Sequence, residues 1–155
     1  LGRLPRAFVR PPLTKIGHEG QSRVRVDVQG KPSVTEYWSI QHFTLPQPLP
    51  SREGNSSPLR GEDKGGGDTV DTFTLVSVKL HTGRTHQIRV HFSSQGHPVM
   101  GDDLYGKPQS QKLGTILSRQ FLHASKLELQ LPNKTWLEVQ SELPPDLRKV
   151  LSELT

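Results

Sequence analysis

The sequence has no cysteine. That excludes disulfides, thiolate nucleophiles and cysteine-held metals, and it fits a reducing compartment such as the cytoplasm. Apolar residues are also scarce, at 31% of 155, and aromatic residues make up 6%. A chain of this length suggests one domain that buries about 70% of its unfolded surface, so the core is expected to be small. No run of about 18 apolar residues occurs, which leaves no candidate for a membrane-spanning helix. Nothing basic and then apolar follows Leu1, and no secretory signal is expected.

What the sequence does have is positive charge, +5 in all, unevenly spread. Residues 1–45 carry seven Lys/Arg against three Asp/Glu, and residues 73–126 carry seven against two. Residues 46–72 and 127–155 each carry three against five. A locally basic surface attracts polyanions, nucleic acid foremost. A solvated basic face accounts for the charge equally well.

Alternation of apolar residues predicts strands. Val24, Val26 and Val28 form one, ended by a Gly30-Lys31-Pro32 turn, and residues 34–40 form the next. The two are expected to pair as a hairpin. "FTLVSVKL", from Phe73 to Leu80, is a third strand, with Thr74, Val76, Val78 and Leu80 on its apolar face. Residues 46–72 are dense in Pro, Gly, Ser and charge, and read as a low-complexity, disordered insertion within a single domain. Thr85 is expected to cap a helix running to about Gln95, with Gly96 as its stop. Ile88 and Phe92 would be its apolar face, and His86, Arg89 and Ser93 the polar face beside it. "KLELQLP" and "TWLEVQS" read as two strands around a turn at Pro132-Asn133-Lys134. "PPDLRKVLSEL" reads as a helix started by Pro144 and Pro145, with Leu147, Val150, Leu151 and Leu154 inward. Trp38 and Trp136 are assigned to the core, with stacking on RNA bases as the other role open to them. His123 is expected to pack internally, with a place facing the site as the other role open to it. The fold class is therefore α+β, a mainly antiparallel mixed sheet with few helices.

The densest chemistry lies between Leu80 and Gly106, where Arg84 and Arg89 mix with His81, His86, His91 and His97. A zinc site is disfavoured. Spacing five turns successive histidines about 500° around a helix, off a common face, and neither cysteine nor carboxylate joins the cluster. Ser93, Ser94 and His97 lack the Gly-x-Ser-x-Gly elbow of a hydrolase. "GGGD" at 65–68 lacks the Lys-Ser/Thr and the helix of a phosphate loop. Anion handling suits the residues better. Arg84 and Arg89 present forked donors, Gln87 donates and accepts, and a helix start near Thr85 offers unpaired N–H groups. A carboxylate or an RNA phosphate would fit.

These strings also carry a resemblance. "LHTGRTHQIRVHF", "GHPVMGDDLYG", "RQFLHASKLELQLP" and "LPPDL" follow in an order and spacing that resembles the C-terminal half of RluA-type pseudouridine synthases, and "GKPSVTEYWSI" is similar to the family's strand pair before them. The resemblance implies an RNA-directed isomerase acting on ribosomal or transfer RNA without metal or organic cofactor. In such enzymes an aspartate attacks the target uridine, and the base detaches, rotates and rejoins through carbon. The base must first leave the RNA stack. By position Arg89 is the cation that keeps that aspartate ionised. Arg84, Thr85, His86, Gln87, Asp102 and Tyr105 are implied to bind RNA or to shape the site, with packing open as an alternative for Asp102 and Tyr105.

One part of the pattern is absent. The family's nucleophile lies in a His-Arg-Leu-Asp string, and a Lys-x-Tyr segment follows it; neither occurs in this sequence. "GRLP" places Pro5 where that aspartate would stand, and "RPPLTKIG" matches a stretch downstream of it. The missing segment is therefore expected upstream of Leu1, and Arg89 is expected to face a cleft with a gap in place of the aspartate. The chain alone is expected to be inactive. A catalytically silent RNA-binding remnant, or one half of a split synthase completed by a separate N-terminal chain, are the other readings.

Overall fold

The computed structural model describes residues 6–17, 23–44, 72–106 and 117–155. Among these, seven strands and two helices follow in the order β1 Ala7–Val9, β2 Leu13–Ile16, β3 Arg23–Val26, β4 Thr35–Thr44, β5 Thr72–Leu80, α1 Gln87–Ser94, β6 Lys126–Gln130, β7 Trp136–Gln140 and α2 Pro145–Leu154. All pairings are antiparallel, and the architecture is α+β as the sequence predicts. The insertion read at 46–72 lies outside the described residues, except Thr72, which opens β5.

The central element is β4. β-Branched and aromatic residues favour an extended chain there, and β4 lies between β1 and β5 in a three-stranded sheet. Pairing with β5 runs from Thr35↔Leu80 to Thr44↔Thr72, with a register shift between Ser39 and Gln41. Ile40 is the extra residue of that bulge and is 55% exposed. The expected apolar face of β5 is only partly inward, since Thr74 and Leu80 are exposed.

The hairpin expected between 24–28 and 34–40 does not form. β3 pairs instead with β2, Leu13↔Val26 through Ile16↔Arg23. The strand ends at Val26 and the chain turns at 27–30, earlier than the Gly30-Lys31-Pro32 turn expected. Asp27 accepts the Gln29 and Gly30 amides, and the chain then bridges Lys31 to Leu13 through a reciprocal pair of backbone bonds. A Cβ on Gly30 would sit 2.6 Å from the Leu13 carbonyl carbon. Only glycine permits that approach of two backbones.

α1 ends in a Schellman motif. Gly96 is left-handed at φ 81°, its N–H donates to Ser93 O, and His97 N–H donates to Phe92 O. The start of α1 departs from expectation. Thr85 does not cap it; His86 occupies the cap position in the left-handed region, at φ 52°, with no side-chain cap. The buried face also differs. Gln87, Val90 and His91 point inward, while Ile88 and Phe92 are half-buried. Phe92 meets Tyr37 edge-on at 5.1 Å.

Two small cores result. Leu13, Val24 and Val90 pack with Tyr105. Leu117, Leu147 and Val150 pack with Met100, Phe121, Leu143 and Leu154. α2 starts as predicted, with Pro at its first position, and Asp146 is gripped by Arg119 at 2.8 and 3.1 Å. β6 and β7 form the predicted hairpin, with Asn133 Oδ1 accepting both Thr135 N–H and its hydroxyl. Trp136 is 71% exposed, so its core assignment is corrected, and Trp38 is only half-buried. A two-stranded hairpin has too little depth to enclose an indole. His123 is likewise no core residue; it lies near the surface, 3.1 Å from Ser141 O. Among the described residues no helix is long and apolar enough to cross a membrane.

Candidate functional site

The first turn of α1 and the loop at 100–106 come together around Arg89. Its Nε donates to Asp102 Oδ2 at 2.8 Å and its Nη2 to Oδ1 at 2.7 Å, a forked pair. Asp103 lies 3.5 Å from Nη2 but is almost fully exposed. Asp102 is 2% exposed, and its Oδ1 also accepts the Leu104 and Tyr105 amides. Burial alone would push the Asp102 carboxyl up; the Arg89 and backbone bonds outweigh it and hold the carboxyl below its ordinary value. Hydrogen bonding to Asp102, against the cost of burial, raises Arg89. Asp102 thus occupies the Nε–Nη2 edge of Arg89, a pairing the sequence did not foresee. Among the described residues, Arg89 Nη1 has no acceptor.

How does the chain deliver Asp102 to that point? Gly101 is left-handed at φ 70°, and a Cβ there would collide with Arg119 O. Phe121 N–H donates to Met100 O at 2.7 Å, tying this loop to the segment that carries the second core. On its other side Tyr105 seals the loop against α1. Its carbonyl accepts Ser93 Oγ–H, and its ring lies 5.1 Å from the Arg89 guanidinium. Its hydroxyl oxygen accepts the Val24 amide at 2.9 Å and lies 3.0 Å from His86 Nδ1.

Beneath the site runs a buried polar chain that sequence reading missed. Gln87, His91, Ser33 and Thr35 are each at most 2% exposed. Ser33 Oγ–H donates to Pro11 O, which leaves its oxygen to accept His91 Nε2–H. His91 Nδ1 then accepts Thr35 Oγ1–H, whose oxygen accepts Gln87 Nε2–H. Gln87 also donates to Val34 O and accepts from Thr82 Oγ1 and Arg84 N–H. Every position on the Gln87 amide is used. Gln87 thus positions the helix rather than reaching outward. Burial lowers His91 below its usual pKa, against a smaller upward pull from the Pro11 carbonyl. The i, i+4 spacing of Gln87 and His91 was the available signal, hidden because polar residues are ordinarily assigned to the outside.

The histidines at spacing five separate. His81 bonds Glu36 Oε2 at 2.8 Å, His86 meets Tyr105, and His91 is buried. Among the described residues no group of three His, Asp or Glu comes together as a metal set. Arg84 and Thr85 are exposed, with Arg84 Nε donating to Pro32 O at 3.2 Å. Together with half-buried His86 they form the outer rim.

The site is thus a mostly buried Arg–Asp fork at a helix start, carried on an antiparallel α+β scaffold. Comparison makes this specific. Residues 5–94 match the RNA pseudouridylate synthase family. An uncharacterised RNA pseudouridine synthase of Chloroflexus aurantiacus is 48% identical over 94% of this chain and 39% of its own length. The ribosomal large subunit pseudouridine synthase C of Vibrio parahaemolyticus is 34% identical over 92% of this chain and 37% of its own. The solved human RNA pseudouridylate synthase domain containing 1 superposes with a TM-score of 0.60 at 26% identity, covering 96% of this chain and 59% of that one. The chain belongs to the RNA pseudouridylate synthase family, of RluA type. It spans about two fifths of the length of these two curated relatives.

Proposed function

We propose that this chain is the C-terminal part of a cytoplasmic pseudouridine synthase that isomerises uridine in ribosomal or transfer RNA. The nucleophilic aspartate is supplied by an upstream segment, and neither metal nor organic cofactor takes part. The observation that carries this reading is Arg89. It is 11% exposed, locked by Asp102 on two nitrogens, and has Nη1 without an acceptor among the described residues. A guanidinium anchored on one edge can hold a second carboxylate on another, keeping that carboxylate ionised and aimed. Asp102 and Tyr105 position Arg89, Gln87 sets the helix, and Arg84, Thr85 and His86 form the rim that meets RNA. The isolated 155 residues are inactive in this reading.

One observation favours a second reading, a silent RNA-binding remnant: the Arg89 charge is already matched by Asp102. Joining the chain to the upstream part of the Chloroflexus relative separates the two. A synthase part restores pseudouridine formation in ribosomal RNA transcripts. A remnant leaves the joined protein inactive while still binding RNA, with affinity falling steeply as salt rises.

A further inference from the structure

His86 is a non-glycine residue held in the left-handed region, at φ 52° and ψ 21°. Side chains rarely adopt that backbone unless their surroundings impose it, and such residues cluster at functional sites. Here the conformation sets the imidazole edge-on to Tyr105, with ring centres 5.6 Å apart at 72°. A phenol oxygen has one hydrogen to give and two lone pairs. The Val24 N–H takes a lone pair at 2.9 Å. Among the described residues, the one acceptor recorded for the phenolic hydrogen is His86 Nδ1, at 3.0 Å. With the phenolic hydrogen given to Nδ1, the single proton of a neutral ring sits on Nε2.

We propose that Tyr105 fixes His86 as the neutral Nε2–H tautomer, and that His86 thereby donates a hydrogen bond to a carbonyl oxygen of a pyrimidine base in RNA. The charged and titratable groups around the ring agree. Burial and the nearby Arg89 both disfavour an imidazolium, and Asp102, pulling the other way, is the weaker influence. A phosphate would call for a cation, and exposed Arg84 stands two residues away to supply one. A neutral donor matches a neutral acceptor, and a base carbonyl is what an unstacked pyrimidine presents on its edge. The inference rests on the RNA reading above and names the chemical group that one rim residue contacts.

Nitrogen-15 NMR of the histidine-labelled chain tests it, with His86→Asn used to assign the ring. Asparagine tolerates a left-handed backbone, so that variant keeps its fold. At neutral pH the His86 ring should show a bare Nδ1 and a protonated Nε2. Tyr105→Phe should release it to a mixture of tautomers. Oligouridylate should shift Nε2–H while the ring stays neutral, and ribose 5-phosphate, which has no base, should not. His86→Asn should weaken oligouridylate binding about two- to tenfold, the worth of one net hydrogen bond. An Nδ1–H tautomer in the free chain overturns the proposal. So does a doubly protonated ring on adding either probe, which would indicate phosphate. Oligouridylate that binds by fluorescence anisotropy without disturbing His86 overturns the base contact alone. No binding at low salt overturns the RNA reading itself.

Discussion

Around α1, polar side chains lie inside and bond one another completely; in the β6–β7 hairpin, apolar side chains lie outside and touch little. Gln87 and His91 are at most 2% exposed, whereas Leu127, Leu137 and Val139 are 55%, 41% and 48% exposed. These last three share one face of the hairpin, with Lys126, Glu128 and Glu138 forming an ion-paired set on the other. A buried amide or imidazole tolerates one arrangement of partners, so it fixes register and rotation. An uncovered two-stranded hairpin fixes little, being marginal in water. The site region therefore has its geometry set within this chain, while the hairpin has a face with no cover among the described residues.

The sharpest break of that contrast is Asp102→Ala. It strands the Arg89 guanidinium in a mostly buried place and removes the acceptor for two loop amides. Urea denaturation should show a loss of about 3–5 kcal/mol. A loss below about 1 kcal/mol would mean the fork is incidental. Gln87→Ala comes next, at about 1–3 kcal/mol, because it takes the acceptor from the Thr82 hydroxyl and the Arg84 amide and one donor each from Thr35 Oγ1 and Val34 O. A near-neutral result would show that water replaces the amide and that the chain through His91 does not hold the helix.

Acid should loosen the same region in two stages. His91 and His86 lie below the usual histidine pKa in the folded chain. Their neutral forms stabilise the fold fully above the unfolded value of about 6.5, and that contribution is lost as pH falls through their folded values. Asp102, also lowered, gives stability present above about pH 4 and lost as pH falls further. Thermal melts from pH 7 to 3 should decline in that order. Stability unchanged from pH 7 to 5 would contradict the buried neutral imidazoles. The smallest effect belongs to the hairpin. Leu137→Ser should shift stability by under about 0.5 kcal/mol. A larger loss would show that the face is packed.

Much of the fold was legible because its signals are local. The two helices, the β6–β7 hairpin and the Gly96 stop follow from period and turn chemistry. What escaped was partner choice. β1 and β2 have only three and four residues, and the Pro11-Pro12 pair between them masks both. β3 therefore seemed to belong with β4. In the site, Arg89 and the loop at Asp102 and Tyr105 were found through motif, but their direct pairing was not, because thirteen residues separate them and both were read against an absent third group. His91 and Thr35 were missed because nothing in a single sequence marks a polar residue as buried.

The central claim is that Arg89 serves an aspartate carried elsewhere, and tritium release from 5-tritiated uridine in ribosomal RNA tests it most directly. The 155-residue chain alone should release none above background. Joined to the upstream part of the Chloroflexus relative it should turn over, Arg89→Ala should abolish that turnover, and Arg89→Lys should restore part of the charge without the forked geometry. Turnover by the isolated chain would contradict the account, because Asp102 or Asp103 would then have to be the nucleophile.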